Sequence, residues 1–112
     1  MENFLILFRG QDGRSLRENP EAFESHLQRL GAWMESLKPD GEVIAAEPLA
    51  PSSTLIRSGA RVKTDGPFIE GKEMVGGYLR FRCISPERAI AWAQQCPIFE
   101  FKDGIVELRA IE

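Results

Sequence analysis

Twice in this chain a residue able to cap a helix is followed at once by proline, at Asn19-Pro20 and at Ser85-Pro86-Glu87. A capping side-chain oxygen accepts from the free amides of a first turn. Proline at the first helical position gives up an amide that has no partner there. Each pair therefore opens a helix, and what lies between and around them reads as strand. After the first pair, Phe23, Leu27, Leu30, Met34 and Leu37 recur at spacings of four and three. They form one apolar stripe along a helix of about five turns, which Lys38-Pro39-Asp40-Gly41 brings to a stop. After the second pair, Ala89, Ile90, Trp92 and Ala93 supply the inward side of a shorter helix ended by Pro97.

The strands follow from their own patterns. Residues 3 to 9, Asn-Phe-Leu-Ile-Leu-Phe-Arg, are short, aromatic and apolar on both faces, which suggests a central strand. Glu42 to Glu47 reads as a second strand. Thr54 to Arg57 and Arg61 to Thr64 flank Ser58-Gly59 as a polar hairpin, too poor in apolar positions to build a core and placed as an appendage on the main sheet. Val75 to Ile84 is the longest strand, with Leu79, Phe81 and Cys83 alternating with Tyr78, Arg80 and Arg82, and Ile105 to Ile111 is the last. The order is β-α-β-(hairpin)-β-α-β. Right-handed crossovers fold it into an α+β, ferredoxin-like βαββαβ sheet with an inserted β-hairpin, the first and the longest strands central and both helices on one face.

Two helices leave the other face open. Leu79, Phe81, Val106 and Leu108 suit the helix side. Tyr78, Arg80, Arg82, Glu107 and Arg109 belong to the open side, with one apolar set from the first strand. An open sheet face carrying large apolar residues calls for a partner, and a second copy stacked face to face supplies one, so the chain is expected to be a homodimer. Arg80 and Arg82 share that face and would point into the space between two such sheets, where a guanidinium pair suits a carboxylate or phosphate. The alternative is that they pair with Glu107 or a partner's acid at the rim.

Composition removes several function classes. The length of 112 residues fits one domain, and apolar and charged fractions of 43% and 28% are those of a soluble protein. A net charge of −3, from 14 basic and 17 acidic residues, leaves no electrostatic footprint for nucleic acid. The longest apolar run, Phe4 to Phe8, is too short to cross a membrane, and Glu2 and Asn3 stand where a signal peptide is basic. A cytoplasmic location is expected. Two cysteines, Cys83 and Cys96, and one histidine, His26, give neither a disulfide framework nor a metal-ligand spacing. The thiols read as structural, and no cofactor is implied.

The densest run of special backbone residues is Asp65-Gly66-Pro67-Phe68, followed by Glu70, Lys72-Glu73 and Gly76-Gly77-Tyr78. Together with the Phe4-to-Phe8 strand, Gly41-Glu42-Val43, Glu47, the Ala89-to-Ala93 helix, Cys96-Pro97 and Val106-Glu107-Leu108-Arg109, it resembles the DGPF subgroup of the YCII-related family over nearly the whole chain. The resemblance implies a dimeric α+β barrel of ferredoxin-like protomers with a pocket holding a His–Asp dyad. Some members act on small aromatic compounds, and the subgroup is linked by gene neighbourhood to extracytoplasmic-function sigma factors. His26 matches the family histidine. The aspartate would fall just before the proline that ends the second helix, and here that position is Cys96.

The candidate site is therefore His26 as a general base, with Asp65, Tyr78, Arg80 and Arg82 around a small anionic or aromatic ligand. Each has a plainer reading. His26 can be a half-buried packing residue, Asp65 can fix its own turn, and Glu70, Lys72 and Glu73 can be a solvated cluster. A His26–Cys96 pair would be nucleophilic only if the two met in space. Three functions follow in order: a homodimeric ligand-binding protein, an enzyme of proton transfer or elimination using His26, and a regulator associated with a sigma factor.

Overall fold

Four strands pair into one antiparallel sheet, and two capped helices close one of its faces. The computed structural model describes residues 1–10, 18–50, 52–65, 75–101 and 103–112, with the backbone alone for 62–65. Along the chain lie β1 (Glu2–Arg9), α1 (Pro20–Glu35), β2 (Gly41–Pro48), β3 (Ser53–Arg57), β4 (Ala60–Asp65), β5 (Val75–Cys83), α2 (Pro86–Ala93), a 3-10 turn (Pro97–Glu100) and β6 (Ile105–Ala110). Both capping pairs work as their chemistry requires. The Ala22 amide donates to Asn19 Oδ1 at 3.2 Å, and the Arg88 amide donates to Ser85 Oγ at 3.1 Å. Among the described residues no helix is long and apolar enough to cross a membrane.

The main sheet runs β2-β5-β1-β6, so the two strands expected at the centre are there. Register settles which side chains share a face. Phe4 faces Phe81, Ile6 faces both Leu79 and Leu108, and Phe8 faces Gly77 and Val106. Because side chains alternate along a strand, Leu5 and Leu7 come out on the opposite face beside Arg80, Tyr78, Arg109 and Glu107. A bulge between Val43 and Ala45 shifts the register along edge strand β2 and places Glu47 opposite Tyr78.

The hairpin β3–β4 forms a two-stranded sheet of its own, with every residue of β3 exposed. Its tip takes φ of 52° at Ser58 and 80° at Gly59, the paired left-handed geometry of the tight hairpin turn. The DGPF signature residues 66–68 and the charged run through Glu73 lie outside the described residues.

The core joins both helices to the sheet through aromatic rings. Phe4 stacks on Phe81 at 5.3 Å between centroids, and Phe81 meets Trp92 at 4.7 Å. Trp92 of α2 then lies flat against Trp33 of α1, 4.0 Å apart with 6° between the planes. Each indole N–H donates to the other residue's backbone carbonyl at 2.8 Å. A buried indole needs an acceptor, and here the helices supply one another's.

Three expectations about the helices change. The buried line of α1 is His26 and Trp33, continued by Leu37 beyond the helix, while Leu27 is 45% exposed. The buried side is thus rotated from the stripe toward His26 and Trp33, because the ring stack turns Trp33 inward, while Leu37 is buried and Leu30 and Met34 pack against the core as expected. In α2, Ala89, Trp92 and Ala93 are buried but Ile90 faces solvent. And α2 stops at Ala93, so Pro97 opens the following 3-10 turn rather than ending the helix. Trp92→Ala removes the ring that touches both layers and is expected to cost about 3–5 kcal/mol of stability in urea unfolding. A loss below ~1 kcal/mol would show that the stack does not hold the helices.

Candidate functional site

Gly76 and Gly77 bring no side chains to the start of β5, and both are buried. At Gly77 the reason is a close approach: a Cβ there would lie 3.0 Å from the Glu47 carbonyl oxygen of β2 and 3.7 Å from the Phe8 ring. The same omission leaves space beneath α1. A cavity of about 290 Å³ opens there, with Phe8, Gly76 and Gly77 as its floor on the sheet. Phe23, Leu27, Leu30 and Met34 of α1 form its roof, and Ala46 and Pro48 of β2 form one side. Much of the apolar stripe expected to pack into the core is therefore cavity lining.

One imidazole stands in this apolar surround. His26 is 5% exposed, and Phe101 meets its ring edge-on at 5.0 Å. Its Nδ1 is buried and makes no hydrogen bond. Glu100 on the 3-10 turn brings a charge close to it, its Oε2 lying 3.8 Å from Nδ1. That carboxylate is gripped by Arg29 of α1, with Nε donating to Oε1 at 2.6 Å and Nη2 to Oε2 at 2.7 Å. Arg29 also donates to Ser25 Oγ.

These contacts set the charge states. Burial pushes the His26 pKa below its ordinary value. The Glu100 carboxylate favours the charged ring and the Arg29 guanidinium opposes it, so burial prevails and the imidazole is neutral near pH 7. The Arg29 fork in turn holds Glu100 below the usual carboxylate range. Burial also raises the Cys96 thiol to about 11. Such a thiol stays protonated at neutral pH, and Cys96, 3% exposed, packs within the core.

The five residues singled out from sequence are not one constellation. His26 and Tyr78 both border the cavity. Tyr78 nevertheless alternates with Gly77, so its ring leaves by the open face and its hydroxyl donates to Glu47 at 2.9 Å. Arg80 and Arg82 lie on that open face too, exposed, with Arg82 paired to Glu42 through Nε at 2.8 Å. The arginines are thus across the sheet from the histidine. The backbone of Asp65 ends β4, paired with Ser53, and its side chain is outside the described residues. Sequence reading passed over Glu100 and Arg29, which sit 71 positions apart and meet only because the 3-10 turn folds back over α1. No local pattern announces such a contact.

The YCII-related domain pattern matches residues 4–112. The chain belongs to the YCII-related family. Among solved structures, this YCII-related chain is similar to 5-chloro-2-hydroxyhydroquinone dehydrochlorinase from Burkholderia phenoliruptrix in complex with 2,5-dihydroxybenzoquinone, at 21% identity and a TM-score of 0.47, covering 94% of this chain and 90% of that one. No curated protein matches it.

Because the folded ring holds its proton less tightly than the unfolded one, the unfolded state binds more protons between the two pKa values. The contribution of His26 to stability is complete above about pH 6.5 and is lost as the pH falls toward the folded value. Urea unfolding at about pH 5.5 and about pH 7.5 should therefore show a less stable protein at the lower pH, and His26→Phe should shrink that difference. An unchanged difference in His26→Phe would locate the acid sensitivity elsewhere.

Proposed function

We propose that this YCII-related protein binds a small, largely apolar molecule, with an aromatic ring as the best-fitting shape, in the cavity beneath α1. The observation that carries this reading is the cavity itself: about 290 Å³ walled by aliphatic and phenyl side chains around one imidazole. Ligand sites combine mainly apolar walls with a few polar groups that orient the guest, and this cavity has that make-up. A flat ring suits the slot between the Gly76-Gly77 floor and the helix above it. Arg80 and Arg82, on the far face, take no part in holding this molecule.

Proton transfer is the second reading, and a specific observation favours it. A neutral buried imidazole can accept a proton at neutral pH, and Glu100 beside it would offset the charge the ring then acquires. Cys96 in the place expected for an acid does not by itself remove this possibility, since a carboxylate reaches the ring from elsewhere.

The pair is also proposed to be a homodimer joined through the open sheet face. Leu5 and Leu7 are half-buried there with no helix among the described residues above them, ringed by Arg9–Glu107 and Arg82–Glu42 ion pairs. Native mass spectrometry should give a dimer, and Leu7→Glu, which sets a second acid beside Glu107, should give a folded monomer. A monomeric native protein would end the dimer reading.

His26 is the chain's single histidine, so its ring resonances report the cavity without ambiguity. A panel of small aromatic compounds should include members that shift these resonances saturably. Ala46→Trp, which fills the cavity from β2, should abolish the shifts while leaving the fold intact. If no compound moves the His26 signals, or if Ala46→Trp leaves them responsive, the binding site is not this cavity.

A further inference from the structure

A buried ring nitrogen without a hydrogen bond is costly, because it has lost water and gained no partner. In this protein the cost falls on His26 Nδ1, and one acceptor is close enough to relieve it. Glu100 Oε2 stands 3.8 Å away, so closing the gap by roughly 1 Å gives an ordinary hydrogen bond. The carboxylate is not placed there by chance rotation of a surface side chain. Arg29 is three residues beyond His26 on α1, and its guanidinium holds both Glu100 oxygens. Phe101, the next residue after Glu100, fixes the ring plane from its edge.

We propose that Glu100 is the positioning residue for His26: its carboxylate, held by the Arg29 fork, accepts from Nδ1–H and so leaves the Nε2 lone pair for whatever occupies the cavity. A neutral imidazole carries one proton, and an acceptor at Nδ1 decides which nitrogen has it. Without Glu100 the ring would be free to place its proton on Nε2 and present a donor to the cavity. With Glu100 it presents an acceptor, which selects for guests that bring an O–H or N–H to that point. The acid comes from the 3-10 turn, four residues beyond the position at which the family resemblance led one to look. Arg29 has two effects that oppose each other: it orients Glu100, and it competes with His26 for the same charge. Among the described residues, the Cys96 thiol is kept neutral by its raised pKa, and Tyr78 and Glu47, which border the cavity, engage each other by a hydrogen bond.

This assignment rests on the cavity reading only for what Nε2 meets. Its test needs no ligand, so a protein that binds nothing and a ring held the other way round give different results. Long-range 15N–1H NMR of the single histidine reads tautomer and titration together. The native protein should show the Nδ1–H tautomer at neutral pH. Glu100→Leu should move the ring toward Nε2–H and lower its pKa, leaving Arg29 unopposed. Arg29→Leu should raise that pKa by freeing the carboxylate for the ring. Both substitutions break the same ion pair, so a purely structural role for it would move the histidine alike in the two variants. An Nε2–H tautomer in the native protein, or shifts of the same sign in both variants, overturns the assignment.

Discussion

The reciprocal clasp between Trp33 and Trp92 is the constraint on which the helical layer depends. Two indoles that each donate to the other's backbone can satisfy both donors only at one rotation and one spacing of the helices. That geometry turns α1 so that Trp33 and, two turns earlier, His26 face inward. It also explains the cavity. The clasp is near the C-terminal ends of α1 and α2, and α1 roofs the cavity from Phe23 to Met34. There the sheet offers Gly76 and Gly77 rather than side chains that could fill the gap.

Electrostatics at the site is a matter of small differences. The ring is buried enough to lose its proton, a carboxylate is near enough to return it, and an arginine is bound to that carboxylate closely enough to weaken its pull. The ring is buried but the Arg29–Glu100 pair is partly exposed, so solvent moderates its pull on the His26 proton. The pair spans α1 and the turn after α2, so any displacement of that turn is felt at the ring.

Much of the fold was legible because local chemistry specified it. The caps at Asn19 and Ser85, the two-faced apolar run of β1 and the alternation along β5 each determine an element, and short right-handed connections leave few ways to join them. The rotation of α1 was not legible: Phe23, Leu27 and Met34 make as good a stripe as the true buried line, and only a tertiary partner, Trp92, decides between them. The site divides in the same way. His26 could be found, being the single histidine of the chain. Asp65, Tyr78, Arg80 and Arg82 were grouped with it by strand alternation and family likeness, yet the alternation that puts Gly77 beneath α1 puts Tyr78, Arg80 and Arg82 on the far side. Glu100 could not be found, since nothing in the sequence around a 3-10 turn says which side chain it lays against a helix 71 positions away.

Cys83 and Cys96 have a consequence of another kind. Both are sealed in the interior, and Cys96 would need strongly alkaline solution to ionise. While folded, a molecule of this sort keeps both thiols out of reach of oxidants, alkylating agents and soft metals. A cysteine placed deliberately on its surface would then be the sole point of attachment for a probe, with neither native thiol having to be replaced.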